Sequence, residues 1–135
     1  MVKIKICGLK EPQHALAAAM CGADMLGLVF AASKRRVSPE QARLIAEAVR
    51  RLKNPPALVG VFVNEKPYEV NRLAECCHLD YVQLSGDEDW DYCQYIDYPV
   101  IKVIHIAPHA VADEVLDYIQ EGLKACPGVT FMLDT

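Results

Sequence analysis

Residues 57–84 read Ala-Leu-Val-Gly-Val-Phe-Val-Asn-Glu-Lys-Pro-Tyr-Glu-Val-Asn-Arg-Leu-Ala-Glu-Cys-Cys-His-Leu-Asp-Tyr-Val-Gln-Leu. The stretch opens on a short β-branched run, Ala57–Val63, of the kind that suits a strand buried on both faces. Pro67 then marks a first helical turn, where its missing N–H costs nothing, and a helical pattern continues to Cys77. Asp80–Leu84 is a second strand-like run. Strand, helix and strand in succession imply parallel strands joined by a right-handed crossover.

The alternation extends in both directions. Further strand-like runs are Val2–Ile6, Met25–Phe30, Pro99–Ile106 and Val129–Leu133; further helical patterns are roughly Pro12–Cys21, Pro39–Leu52, Asp89–Tyr95 and Val111–Lys124. Pro12 and Pro39 repeat the helix-start signal. In Ser38-Pro39-Glu40-Gln41 the Ser and Gln side chains can satisfy each other's backbone donors, a capping box. Gly22 and Gly128 punctuate the returns into strands. Six strands and five helices over residues 1–135 predict a single α/β domain with a structural repeat of about 25 residues. In a parallel sheet all strand C-termini point the same way, and sites gather there. The positions to inspect are Cys7-Gly8, Phe30 to Arg36, Val63-Asn64, Ser85-Gly86, Ile106 and Asp134-Thr135.

Composition narrows the function. Apolar residues make up 53% of the 135 and charged ones 24%, enough for a packed core. Fourteen Lys+Arg against eighteen Asp+Glu leave a net charge of -4, the wrong sign for a nucleic-acid or membrane-surface binder. No apolar run reaches the ~18 residues of a membrane span, and the start carries lysines where a signal peptide needs its apolar stretch. The expectation is a cytoplasmic protein with neither nucleic acid nor membrane as a partner. Cys7, Cys21, Cys76, Cys77, Cys93 and Cys126 are irregularly spaced, so they are expected to stay reduced. Cys76-Cys77-His78 is too cramped for a metal site, and His105 and His109 lack a companion cysteine pair; no metal is expected.

Side chains alternate faces along a strand. Lys3, Lys5 and Cys7 share one face of the first strand, and Tyr81, Gln83 and Ser85 one face of the fourth. Val100, Lys102 and Ile104 align in the fifth, and Thr130, Met132 and Asp134 in the sixth. This pattern puts Lys5, Gln83 and Lys102 together on one face. A lysine within a parallel strand needs a partner or water. Either these lysines snorkel at frayed edges, or a barrel interior turns polar near its mouth. In the second case Lys5 also favours the thiolate of Cys7, two residues along the same face.

Lys5-Ile6-Cys7-Gly8-Leu9 resembles the opening signature of the phosphoribosylanthranilate isomerase family, (β/α)8 TIM barrels of the tryptophan pathway. Further matches follow in order: Gly22-Ala23-Asp24, Gly27-Leu28-Val29-Phe30, Ser33 to Glu40, Val59 to Glu65, Val82 to Glu88, and Met132-Leu133-Asp134-Thr135. The resemblance implies an aldose–ketose isomerase, an intramolecular oxidoreductase. It performs the Amadori rearrangement of N-(5'-phosphoribosyl)anthranilate to 1-(2-carboxyphenylamino)-1-deoxyribulose 5-phosphate, without metal or organic cofactor. It implies Cys7 as general base and Asp134 as general acid, with Arg35 pairing with the anthranilate carboxylate. Lys5, Gln83 and Ser85 complete the expected substrate-binding set.

Two departures qualify that expectation. Ser85 stands where many family members carry a histidine in a Gln-Leu-His-Gly string, and His14 where the first helix usually has an acidic residue. A (β/α)8 barrel needs eight strands and at least ~200 residues, so six strands predict an incomplete barrel. The sequence offers no Gly-rich phosphate cradle, its seven glycines being scattered singly. Strands one and six are roughly 14 Å apart across a closed mouth but about 24 Å apart in a flat six-stranded row. The alternatives are a non-catalytic barrel fragment that folds as an open flavodoxin-like sheet or a strand-swapped oligomer, and a different small enzyme on a doubly wound sheet; exposed edge strands also invite completion by a homo-oligomer or a complementing fragment. The chain by itself is expected to be weakly active or inactive.

Overall fold

The computed structural model describes residues 1–135. Its elements are β1 (Lys5–Cys7), α1 (Pro12–Met20), β2 (Met25–Val29), α2 (Pro39–Arg50), β3 (Ala57–Phe62), α3 (Pro67–Cys76), β4 (Tyr81–Leu84), α4 (Trp90–Cys93), β5 (Val100–His105), α5 (Ala112–Ala125) and β6 (Thr130–Asp134). The six strands form one parallel sheet in the order 1-2-3-4-5-6. Each strand lies beside its sequence neighbour and the winding never reverses. A doubly wound sheet has a reversal point, so the flavodoxin-like alternative is set aside. Sequential order is how β/α barrels are wound. β1 and β6 each pair on one side only, and the sheet is an open part of a barrel.

Local chemistry accounts for the element ends. The capping box forms: the Gln41 amide donates to Ser38 Oγ at 3.2 Å and the Ser38 amide donates to Gln41 Oε1 at 2.9 Å. Gly22 and Gly128 adopt positive φ (91° and 87°) before the strands they introduce. The first strand is shorter than Val2–Ile6. Its beginning is tied to a turn rather than a ladder, with the Ile4 amide on Asp24 Oδ2 at 2.7 Å. The helix expected over Asp89–Tyr95 is one turn, capped by Asp89, whose Oδ1 accepts from the Tyr92 amide at 2.8 Å.

The main core lies between the sheet and its helices. Leu26, Leu28 and Phe30 pack with Leu58, Phe62, Val82 and Leu84 against Ala42, Ile45, Ala46 and Val49 of α2 and Val70, Leu73 and Ala74 of α3. Phe30 stacks on Phe62 with centroids 5.1 Å apart and planes 5° from parallel. Gly122 lets α5 lie on Trp90, because a Cβ there would come within 2.5 Å of the indole ring.

The opposite face is concave. Lys5 Nζ donates to Gln83 Oε1 at 2.6 Å, although β1 and β4 are three strands apart, roughly 14 Å in a flat sheet. Strand side chains stand nearly perpendicular to the sheet, so these two meet only because the sheet curls around them. Val29, Val59, Val61, Ile101 and Val103 line the floor of this concavity and are buried.

Candidate active site

The C-terminal ends of the strands carry most of the expected site. Cys7 ends β1 and pairs in register with Gly27 of β2. A Cβ on Gly27 would stand 2.6 Å from Cys7 Sγ; the missing side chain is the space the thiol occupies. After Cys7 the chain turns through Gly8 at φ 84°, and a Cβ on Gly8 would meet Arg35 Cδ at 2.5 Å. Glycine is therefore required there twice over, by the left-handed backbone and by the arginine lying across it. Arg35 Nη1 reaches the Cys7 carbonyl at 3.5 Å, and its backbone amide is held by Ser33 Oγ at 3.1 Å. The guanidinium remains exposed, over Gly8 and beside the Cys7 carbonyl.

Lys5, Gln83 and Ser85 form a chain of hydrogen bonds across the concavity. Beyond the Lys5 contact, Gln83 Nε2 donates to Ser85 Oγ at 3.0 Å. Gln83 is almost fully buried at 6% exposure, and both ends of its amide are satisfied. The ammonium of Lys5 thus points across the barrel interior to β4.

Asp134 ends β6 opposite His105 of β5, and its Oδ2 lies 3.6 Å from His105 Nδ1. Strand registers put Asp134 on the same face as Cys7. The ladder carries the level of Cys7 through Gly27, Val59 and Tyr81 to residue 128, two residues before β6 and six short of Asp134. An even offset keeps both side chains concave. Six residues over five strand steps is close to the one residue per strand of a barrel with shear eight, so both groups lie near one height of the mouth.

Lys102 is a correction. The expected face placed it with Lys5 and Gln83, but it pairs in register with Leu84 and Phe131 and points into the helix layer. The residues of β5 on the concave face are Ile101, Val103 and His105. Lys102 is 2% exposed. Its ammonium donates to Glu88 Oε2 at 3.1 Å and the Gly86 carbonyl at 2.8 Å. Glu88, which the sequence reading passed over, is the hub. Its other contacts are the Asn64 amide on Oε1 at 2.7 Å and the Gly86 amide on Oε2 at 2.9 Å. This carboxylate binds the loops after β3 and β4 to β5. The signal in the sequence was a strand lysine in need of a partner.

No three His, Cys, Asp or Glu side chains converge as they would around a metal ion. No helix is long and apolar enough to cross a membrane.

A parallel sheet wound in sequential order, curved toward a mouth that carries a thiol on its first strand and a carboxyl on its sixth, defines the class of β/α-barrel proteins with their site at the C-terminal rim. Residues 4–134 match the profile of the N-(5'phosphoribosyl)anthranilate (PRA) isomerase family, and the chain belongs to that family. A relative from Dehalococcoides mccartyi named N-(5'-phosphoribosyl)anthranilate isomerase is 54% identical over 136 residues, an alignment covering 100% of this chain and 62% of the relative. Crystallised monomers of the dimeric phosphoribosylanthranilate isomerase of Thermotoga maritima superpose with a TM-score of 0.82 at 34% identity, covering 100% of this chain and 64% of theirs. A phosphoribosyl anthranilate isomerase in complex with reduced 1-(o-carboxyphenylamino)-1-deoxyribulose 5-phosphate gives 0.78 at 27% identity, over 99% of this chain and 88% of that one. The chain spans 62% of the length of the Dehalococcoides relative.

Proposed function

We propose that residues 1–135 are one partial barrel domain of a phosphoribosylanthranilate isomerase that acts in the cytoplasm in tryptophan biosynthesis. Its substrate is a phosphosugar joined to anthranilate, and no cofactor takes part. Asp134 protonates the ribose ring oxygen as the C1'–oxygen bond opens to the imine. Cys7 then takes the C2' proton, and the enolamine tautomerises to the ketone. A carboxyl and a thiol suit these roles as acid and base. Arg35, lying over Gly8, pairs with the anthranilate carboxylate. Lys5, Gln83 and Ser85 offer a donor and polar groups to the sugar from the floor of the concavity. The observation that carries the proposal is the placement of Cys7 and Asp134 on one concave face at the C-terminal rim.

The open flanks support completion by further β/α units, from a complementing fragment or a second copy. At the β1 edge Ile4, Ile6, Ala17, Ala18, Cys21 and Ala23 line an apolar cavity of about 340 Å³. At the other edge Leu116, Leu123 and Leu133 are each more than half exposed. The 135-residue chain alone turns over substrate weakly or not at all, for want of a phosphate cradle.

A fluorescence assay for loss of phosphoribosylanthranilate tests both parts, with light scattering to give the oligomeric state. Expected are little turnover from the chain alone, turnover when the missing β/α units are supplied, and its loss in Cys7→Ala and Asp134→Asn. Near-normal rates from a verified monomer overturn the need for completion. A Cys7→Ala rate equal to wild type overturns the site.

A further inference from the structure

The C-terminal end of α3 brings two thiols together in the helix layer behind the sheet. Cys76 is the last helical residue and Cys77 caps the helix. Side chains one residue apart on a helix point about 100° apart and do not face each other. Cys77 departs from helical geometry (φ -102°, ψ 6°), and the two Sγ atoms lie 3.5 Å apart. Cys77 is fully buried, its Sγ facing the Pro39 carbonyl at 3.7 Å. Cys76 is half-buried, its Sγ 3.6 Å from the Leu73 carbonyl. One sulfur is sealed in the core, and its neighbour leads out of it.

The spacing selects the ligand. An atom bonded to both sulfurs at about 2.3 Å, a typical metal–thiolate length, spans their 3.5 Å separation at an angle of about 100°. A linear two-coordinate ion needs its sulfurs on opposite sides. A tetrahedral ion needs two further ligands, and no group of three His, Cys, Asp or Glu side chains converges here. Trivalent arsenic is pyramidal with bond angles of this size, and two sulfurs suffice when its third bond is to carbon. A groove beside the pair has room for that carbon group. Tyr68, Arg72, Glu75 and Tyr98 are among its lining residues. Arg72 and Cys76, four residues apart, share one face of α3, and Tyr98 packs against the same core as Cys76. The tyrosines present aromatic surface to an aryl substituent.

We propose that Cys76 and Cys77 form a dithiol site for aryl arsenicals of trivalent arsenic, with the aryl group in the α3 groove. The site is separate from the barrel mouth and independent of the isomerase reading. With an arylarsine oxide, two As–S bonds form and the arsenic–oxygen bond breaks. Both thiol protons leave on that oxygen as water. Arsenic stays trivalent, so no oxidant or reductant takes part. Because the protons depart with the oxygen, the buried Cys77 thiol need not ionise first. Alkylation differs, since it requires the thiolate. The second As–S bond closes within one molecule, which strengthens retention by about 10²–10⁴ over a single thiol.

Phenylarsine oxide, added in equal amount to the folded 135-residue chain, tests the site by intact-mass and peptide mass spectrometry. Expected is one adduct per chain, mapped to the peptide holding Cys76 and Cys77. It should survive excess 2-mercaptoethanol and be removed by 2,3-dimercaptopropanol. Cys76→Ser should weaken retention about 100-fold or more, and Cys126→Ser should leave it unchanged, with circular dichroism to show that each variant is folded. Should Cys76→Ser not fold, wild type gives the same reading: bound arsenical should shield Cys76 and Cys77 together from alkylation in urea. An adduct on any other pair of cysteines, an adduct stripped by 2-mercaptoethanol, or reaction only with the unfolded chain overturns the proposal.

Discussion

Lys5 and Lys102 occupy strands of one sheet, and its two faces treat them differently. Behind the sheet, Lys102 is sealed among the helices, and two of its three N–H groups are taken by Glu88 and Gly86. In front, Lys5 is half-buried and gives one N–H to Gln83 across an open concavity. An ammonium has three donors, so Lys5 keeps two for a ligand. Lys102 has exchanged its freedom for loop anchoring. The charge behind the sheet maintains the rim, and the charge in front is available to whatever enters it.

That contrast can be broken at several strengths. Lys102→Met leaves the Glu88 carboxylate buried without its counter-ion, and a loss of about 3–5 kcal/mol is expected, measured by urea unfolding. The double variant Lys102→Met with Glu88→Leu should recover much of it, because the stranded charge is gone. Gly27→Ala forces a methyl against Cys7 Sγ. About 1–3 kcal/mol should be lost, and the thiol should be displaced, which slows its alkylation. Lys5→Met removes a single, partly hydrated hydrogen bond and should cost no more than about 1.5 kcal/mol in urea unfolding.

The thiols give the smallest effect on stability. Behind the sheet, burial pushes Cys77 up to about 12 and Cys93 up to about 11. Both should resist iodoacetamide at pH 8, when half-buried Cys7 and exposed Cys21 react. A thiol held above its ordinary value near 9 stabilises the fold fully below that pH, and the contribution fades as pH climbs toward 12. Unfolding midpoints should therefore decline above pH 9, less steeply in Cys77→Ala.

Much of the architecture was readable because each strand is a short apolar run bounded by a proline or glycine signal. The ends were less so: the stretch before Lys5 has no neighbour to form a ladder, and Asp89 caps only a single turn. Lys102 was misplaced for a physical reason. In Val100–Ile104 both faces are buried, so no alternation of polarity marks the front, and a one-residue error turns every side chain over. Only pairing of Ile101 with Gln83 fixes the face. Cys7, Arg35 and Asp134 stood out through family strings rather than through their spacing. Glu88 lay in a matched string and was given no role. His105 was weighed only against His109, since nothing in a linear sequence announces that it ends beside Asp134.

The unbroken winding order has a consequence for how the molecule is made. No paired strand residues are more than 32 positions apart, and short-range pairing of this kind favours rapid folding. A chain leaving the ribosome can dock each strand on the one before it, without waiting for a distant segment. Even the most deeply sealed charges are only 14 positions apart, so the loops after the third and fourth strands are anchored as soon as the fifth is synthesised.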